Sequence, residues 1–495
     1  MKQQYSLFFV LFACLLLSLL YCPVYDMLFI DKEVFRYAGW ALSKGQVPYR
    51  DFFDHKPPLI FFLNYAGLLF GGWGLWIIDL LLALSATWLF FDLCKRHRLP
   101  FPWLLPLLFN LMIRDFLVSK GIGLTREYTS FFLLFFFCVL LGKNKARYFL
   151  LGLLSALIFF MQQDQLLPLL PFLLYAVQVK EPGESGSPGN SGAFISRLIK
   201  LAAGFLSVML PILLYFALHR ALPNFWQDAF AFNFSWYTAE KGSWADHFRS
   251  LKTFLDNGNY EMPFMIAMTL GVTALFLKNR KKPLVLASLA AVLLSFGPEL
   301  MGARAVSSNF AYYLVPLSAS LSILLFCVFA YTEDPVLRDR RAQIPYAFLL
   351  CCSLSYTALQ HATHNGRYDK DPVVTSPAMG YLRQHRPGDY QLFVFGNGDF
   401  ISAYNEFKIL APSPWIYQHF WMWYDRWDPD QGLLKSIGQD LSSHRTTYVL
   451  MDTSYVDLLR NPANRAWWLS FLETHYRQVP LSDAGSITLW ELKAN

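Results

Sequence analysis

Charged side chains are scarce in this chain. Only 16% of its 495 residues are Asp, Glu, Lys or Arg and 55% are hydrophobic, which excludes an ordinary soluble enzyme. The seven cysteines lie mostly inside apolar runs (Cys14, Cys138, Cys327, Cys351, Cys352), and none shows the spacing of a disulfide framework or a metal-ligand set. No Walker loop, dinucleotide fingerprint or metalloprotease motif is present, so the energy-coupling engine of a primary pump is excluded. There is no solenoid repeat. The first apolar run has no small-x-small site before the acidic stretch that follows, and Tyr21-Cys22 is a poor lipoprotein cleavage context. That run reads as an uncleaved helix.

What abounds is apolar runs of membrane-spanning length. About eleven candidate spans fall near 6–22, 74–93, 101–113, 129–142, 148–161, 166–178, 201–218, 262–277, 284–297, 312–330 and 344–360. Short basic clusters separate them: Lys95, Arg96 and Arg98; Lys143, Lys145 and Arg147; Lys278, Arg280, Lys281 and Lys282; Arg338, Arg340 and Arg341. All fall on one side if the first span runs from inside to outside, as the positive-inside rule requires. The net charge of +7 is then a topology signal and not a nucleic-acid footprint. The stretch after the first span and the C-terminus are both placed outside.

Other segments differ in character. Residues 59–70 read as a helix on the outer membrane surface. EPGESGSPGNSG, from Glu181, is a flexible cytoplasmic linker by composition. Residues 219–260 form a long outer loop, and its aromatic density (Phe225, Trp226, Phe230, Phe232, Phe234, Trp236, Tyr237, Trp244) argues for function over disorder. From about His361, strand-like runs (QLFVFG, TTYVLMD, SITLWEL) alternate with polar helical segments, as in a small α/β domain. The expected organisation is a transmembrane module over 1–360, with outer loops 23–73, 114–128 and 219–260, and an extracytoplasmic α/β domain over 361–495.

Chemistry concentrates in IDKEVFRYAGWALSKGQVPYRDFFDHKPPL, from Ile30. Asp31, a few residues beyond a membrane exit, is placed to serve as a general base; an interfacial anchor or an N-cap for a helix starting near Glu33 is the bland alternative. Asp54 and Lys56 lie two apart before Pro57-Pro58, which suits either a local ion pair or a joint grip on a cation and a phosphate. The second outer loop holds Arg114, Asp115, Lys120, Arg126 and Glu127, and taken alone it reads as a solvated loop. Gln162, Gln163, Asp164 and Gln165 form a polar knot, either a turn in water or an amide-lined pocket. Arg304 is a phosphate receptor at the mouth of the bundle, or a headgroup anchor.

The pattern D-x-x-V-F-R-Y-A-G-x-x-L-x-x-G-x-x-P-Y-R-D-F-F-D-H-K-P-P-L resembles the first outer loop of the GT-C superfamily of polytopic glycosyltransferases, in the group of the protein O-mannosyltransferases and the lipid A aminoarabinose transferase. The resemblance covers 25–130 and the G-x-R…Y-Y-L-x-P-L stretch from Gly302 to Leu317. It implies a GT-C-like polytopic α-helical protein of a bacterial inner membrane. It also implies transfer of a sugar from a polyprenyl-phosphate donor to a lipid, glycan or protein acceptor on the outer face. Asp31 then matches the catalytic aspartate. Lys56, Arg304 and Gln163 become donor-phosphate groups, Glu33, Asp54 and His55 supporting groups or ligands of an optional divalent cation, and Arg126 and Glu127 members of a second loop at the site. Two positions depart from the pattern. Asp31-Lys32 precedes Glu33 where relatives have Asp-Glu, and Gln162-Gln163 stands where lysine is frequent.

The chemistry agrees with this. A polyprenyl phosphate is a good leaving group, so its charge needs neutralising more than protonating. Direct displacement at the anomeric carbon inverts configuration and needs no second carboxylate as nucleophile. Two rivals are a lipid-linked glycan polymerase or ligase, and a lipid-linked sugar flippase or transporter, whose ionisable residues belong near the membrane midplane.

Overall fold

A computed structural model describes residues 2–25, 30–114, 122–178, 191–237, 267–271, 282–301, 315–331, 373–418, 432–457, 461–481 and 485–494, with 348, 352, 355, 356, 359 and 459. Arg304, the linker after Glu181, the span expected at 344–360 apart from a few isolated residues, and the loop beyond Tyr237 lie outside the described residues. In chain order the elements used below are α1 (Lys2–Leu19), α2 (Ile30–Ser43), α3 (Leu59–Leu68), α4 (Gly74–Arg96), α5 (Leu104–Ile113), α6 (Thr125–Leu140), α7 (Arg147–Met161), α8 (Leu170–Gln178) and α9 (Ser191–Leu218). They continue with α10 (Leu222–Trp226), α11 (Pro283–Met301), α12 (Leu317–Tyr331), α13 (Pro377–His385), β1 (Leu392–Phe395), α14 (Ile401–Phe407), α15 (Gly432–Ser443), β2 (Tyr448–Asp452), α16 (Thr453–Asp457), α17 (Pro462–His475), β3 (Tyr476–Gln478) and β4 (Ile487–Leu492). The chain divides into two compact units, Met1–Asp26 with Gly72–Tyr215 and Glu240–His364, and Met27–Gly71 with Phe216–Ala239 and Asn365–Asn495.

The first unit is helical. Two helical stretches among the described residues, Gly71–Arg96 and Gly192–Leu218, are long and apolar enough to cross a membrane, and shorter apolar helices accompany them. Helices α7 and α9 meet backbone to backbone. A Cβ added at Gly152 would lie 1.9 Å from the Leu201 carbonyl oxygen, and one at Gly204 1.9 Å from that of Phe149, so only glycine fits either crossing point. Several buried polar side chains bond one another across the bundle, as apolar surroundings favour. Asn110 Nδ2 donates to Thr87 Oγ1 at 2.8 Å, tying α5 to α4, and Ser295 and Ser320 hydroxyls pair at 2.6 Å between α11 and α12.

The second unit contains a four-stranded sheet of order β1-β2-β4-β3. β1 and β2 run parallel, with Leu392 opposite Tyr448, and β4 lies antiparallel to both β2 and β3. All four β1 residues, LFVF, are buried, the continuous apolar pattern of a strand covered on both faces. Trp468 of α17 stacks on Phe395 at 4.5 Å and seals one side. β1, β2 and β4 sit within the strand-like runs of the sequence. β3 has only one apolar residue and gives no such pattern.

The loop after the first span belongs to this unit. α2 packs on α3 where Gly39 leaves room, since a Cβ there would fall 2.8 Å from Asn64. On its other side α2 meets α14: Tyr37 and Tyr404 rings lie 5.4 Å apart, and the Ala411 backbone N–H donates to the Tyr37 hydroxyl at 3.0 Å. Gly398 passes so close to Ile30 that a Cβ would sit 2.2 Å from its side chain.

Candidate active site

Helix α2 begins at Ile30, earlier than an N-cap at Asp31 would allow. Asp31 therefore sits in the first turn, where the positive end of the helix dipole favours a carboxylate, and it is half-buried. Glu33 is buried and already engaged. Its carboxylate accepts from Arg36 Nη1 at 3.1 Å and from Asn405 Nδ2 at 2.7 Å, and Asn405 also bonds the Glu33 carbonyl. This carboxylate ties α2 to α14.

The chain then folds into a tight turn. Tyr49 adopts φ 69°, a left-handed conformation that costs a bulky side chain roughly 1–3 kcal/mol unless its surroundings hold it. Its N–H donates to Phe52 O at 2.8 Å, and the Val47 N–H donates to Asp51 Oδ2 at 2.7 Å. The Tyr49 ring is packed among Phe61, Phe216 and Phe225, and its hydroxyl donates to the Lys56 carbonyl at 2.6 Å. Burial holds that hydroxyl well above the usual tyrosine range, so it stays a donor. Replacing Tyr49 with Phe removes this brace on Lys56, about 0.5–1.5 kcal/mol. We expect a folded protein with a thermal midpoint lowered to match that loss, read by thermal unfolding, and an unchanged midpoint contradicts the brace.

Asp54, His55 and Lys56 are all buried, with 2%, 9% and 7% exposure. Asp54 Oδ1 accepts the Lys56 backbone N–H at 2.7 Å, and Oδ2 accepts the Tyr417 hydroxyl at 3.3 Å. The Phe53 N–H donates to Pro414 O at 2.8 Å while its ring stacks on Trp415. Asn233 Nδ2 holds the His55 carbonyl at 2.7 Å. Thus segments 413–418 and 227–237 both pack on the turn, and the sequence reading missed Tyr417 and Asn233.

Burial raises the Asp54 carboxyl from 3.8 to about 7; the hydrogen bond and charge of Lys56 pull it down, the Asp31 charge pushes it up, and the Tyr417 hydroxyl pulls it down. Between those two values the native state keeps a proton that the unfolded chain has released. Stability is therefore lost as pH rises from 3.8 through about 7 and is level above that. The thermal midpoint should fall more between pH 5 and 8 in the wild type than in Asp54→Asn. An equal fall in both proteins contradicts it.

In the first unit, the expected solvated loop is instead buried at both its described ends. Arg114, closing α5, bonds Asp79 of α4 and Glu127 of α6 and is fully buried with both. Glu127 Oε2 also accepts the Gly123 N–H at 2.9 Å, and Tyr21 donates to the Arg114 carbonyl. Arg126 approaches Asp164 at 3.4 Å, and Thr125 bonds the buried Gln162 at 2.7 Å. Gln163 opens the 3₁₀ turn Gln163–Leu169 and is half-buried. Within the polar knot the Gln162 amide is tied to α6 through Thr125, and Gln165 Nε2 donates to Asp164 Oδ2 at 3.0 Å.

Among the described residues, no three His, Cys, Asp or Glu side chains come together as a metal cage. With Glu33 held by Arg36 and Asn405, the trio Glu33, Asp54 and His55 does not fit a cation site as placed, and no step is derived through one.

No family model matches the sequence, and no curated protein matches it. Solved structures do match in fold. The crystal structure of ArnT from Cupriavidus metallidurans bound to undecaprenyl phosphate is similar with a TM-score of 0.59 at 11% identity, over 99% of this chain and 98% of that one. Its apo form is similar with a TM-score of 0.54 at 12% identity, over 92% of each chain. The expected helical fold is borne out as a likeness to the fold of ArnT.

Proposed function

We propose that the protein is a membrane glycosyltransferase that moves a sugar from a polyprenyl-phosphate donor to an acceptor hydroxyl on the outer face of a cell membrane. The observation that carries this reading is the braced turn of Tyr49 to Lys56, which presents a buried cation beside Asp54 and Asp31. The fold is shared with a protein solved with undecaprenyl phosphate bound, which supports a lipid-linked donor.

In this reading Asp31 accepts the proton of the acceptor hydroxyl as its oxygen bonds the anomeric carbon. The bond from that carbon to the phosphate oxygen breaks on the opposite face, so the product is inverted. The leaving phosphate gathers charge, and Lys56 neutralises it. Asp54, about half protonated near neutrality, offsets the lysine charge only in part. Crossing of the membrane about eleven times, with residues from about 361 outside, remains the topology we favour on the basic clusters.

Deletion of the gene in its host followed by mass analysis of surface glycans and lipids tests the reading. A glycan or lipid lacking one sugar residue is expected, restored by the wild-type chain but not by Asp31→Asn. An unchanged surface in a strain with no second copy of this gene opposes it.

A further inference from the structure

Asp31 lies between two residues that one distant segment holds. That segment, residues 396–405, leaves the carboxyl end of β1 and runs into α14. In open α/β sheets the loops at that end of parallel strands carry function. Here the loop is firmly tied. The Gly396 N–H donates to Gln418 Oε1 at 2.8 Å, its carbonyl accepts the Gln418 N–H at 3.1 Å, and Gln418 is fully buried. The Gly398 N–H donates to Asn397 Oδ1 at 2.8 Å, and Ser402 Oγ donates to the Asp399 carbonyl at 2.6 Å.

One residue before Asp31 the hold is steric. Gly398 is buried and has no positive φ, so its backbone does not demand glycine. Its neighbour does. A Cβ there would sit 2.2 Å from Cγ2 of Ile30, well inside van der Waals contact. Ile30 opens α2, and a β-branched side chain in a helix keeps one preferred χ1, so this methyl does not swing aside cheaply. Two residues after Asp31 the hold is polar. Asn405 Nδ2 donates to the Glu33 carbonyl at 2.9 Å and to the Glu33 carboxylate at 2.7 Å. Helix ends fray, and the first turn has N–H groups without intrahelical partners, so its geometry depends on what holds it from outside.

We propose that Gly398 and Asn405 are positioning residues for sugar transfer: they fix the first turn of α2 on either side of Asp31 and so aim its carboxylate at the acceptor hydroxyl. This rests on the reading of Asp31 as the base and deepens it. Neither residue touches the reacting atoms. Their effect is on alignment, and a displacement of about 1 Å can cost on the order of a hundredfold in rate. A purely structural role would lower stability without regard to which side chain stands at position 31.

The test is a double-mutant cycle on the full-length protein in nanodiscs, with a synthetic polyprenyl-phosphate hexose and a methyl pyranoside acceptor. Gly398→Ala and Asn405→Ala, each checked for folding by its thermal midpoint, should lose roughly tenfold or more in kcat while donor KM stays within about twofold. In an Asp31→Asn background the same changes should cost less than about twofold, because the group they aim is already gone. Adding Ile30→Ala to Gly398→Ala moves a methyl from one wall of the contact to the other and should restore most of the lost rate. Where Gly398→Ala fails to fold, Asn405→Ala, which introduces no clash, decides the question. Wild-type kcat in the folded single variants overturns this inference, and so does a loss as large in the Asp31→Asn background as in the wild type; both results leave the glycosyltransferase reading standing. Wild-type protein that transfers no sugar, or Asp31→Asn protein as fast as wild type, overturns the reading on which this inference rests.

Discussion

Asp31→Asn should insert and fold like the wild type while turning over on the order of a hundredfold more slowly, the scale of lost general-base help. The substitution keeps the size of the side chain and, in the first turn of α2, removes only about 0.3–1 kcal/mol of dipole stabilisation. In the proposed mechanism it takes away the group that accepts the acceptor proton. The loss should lie in kcat, with donor KM little changed, because a base acts in the transition state and not in the ground state. A well-folded variant with near-normal kcat removes Asp31 from the mechanism.

Arg114→Leu should be the most destabilising single change among the described residues. Arg114 is fully buried between Asp79 and Glu127, so its loss leaves two carboxyls facing each other in an apolar bundle. Breaking a buried charge pair from one side costs about 3–5 kcal/mol. We expect low yield and a thermal midpoint well below wild type in detergent. The triple change Arg114→Leu, Asp79→Leu and Glu127→Leu should recover much of that midpoint, because replacing all the partners removes the orphaned charge. A single Arg114→Leu protein as stable as wild type contradicts this account of the cluster.

Much of the candidate site could be read from the chain because it is local. Asp31, Glu33, Asp54 and Lys56 lie within one short stretch, and Tyr49 to Lys56 form a turn whose hydrogen bonds span at most seven residues. What stayed hidden is held by long-range contacts. Tyr417 bonds Asp54 across 363 residues, and Asn405 bonds Glu33 across 372, and no periodicity announces such partners. Glu33 illustrates the cost: read as a supporting ligand, it proves to be engaged in packing two helices.

Asp79 was legible in principle. It is a carboxylate set in a long apolar stretch of helix α4, and a charge there requires a buried partner. Arg114 and Glu127 were noticed but read as solvated, because an arginine at the end of an apolar run looks the same whether it meets water or a hidden carboxylate. The helical character followed from the apolar runs, and β1, β2 and β4 lie within the strand-like runs after His361. The interleaving of the two units did not, since segments 27–71 and 216–239 join the C-terminal residues through side-chain packing that sequence distance conceals.

The central claim is that this turn serves transfer from a polyprenyl-phosphate sugar. Its most direct test is a single-turnover assay with purified full-length protein, a radiolabelled polyprenyl-phosphate hexose of known anomeric configuration and a hydroxyl acceptor. The account predicts equal amounts of free polyprenyl phosphate and glycosylated acceptor, with the anomeric configuration inverted, and loss of both products in Asp31→Asn and Lys56→Ala. Folded wild-type protein that releases no polyprenyl phosphate from any such donor, or that yields products equally well without Asp31 and Lys56, would contradict it.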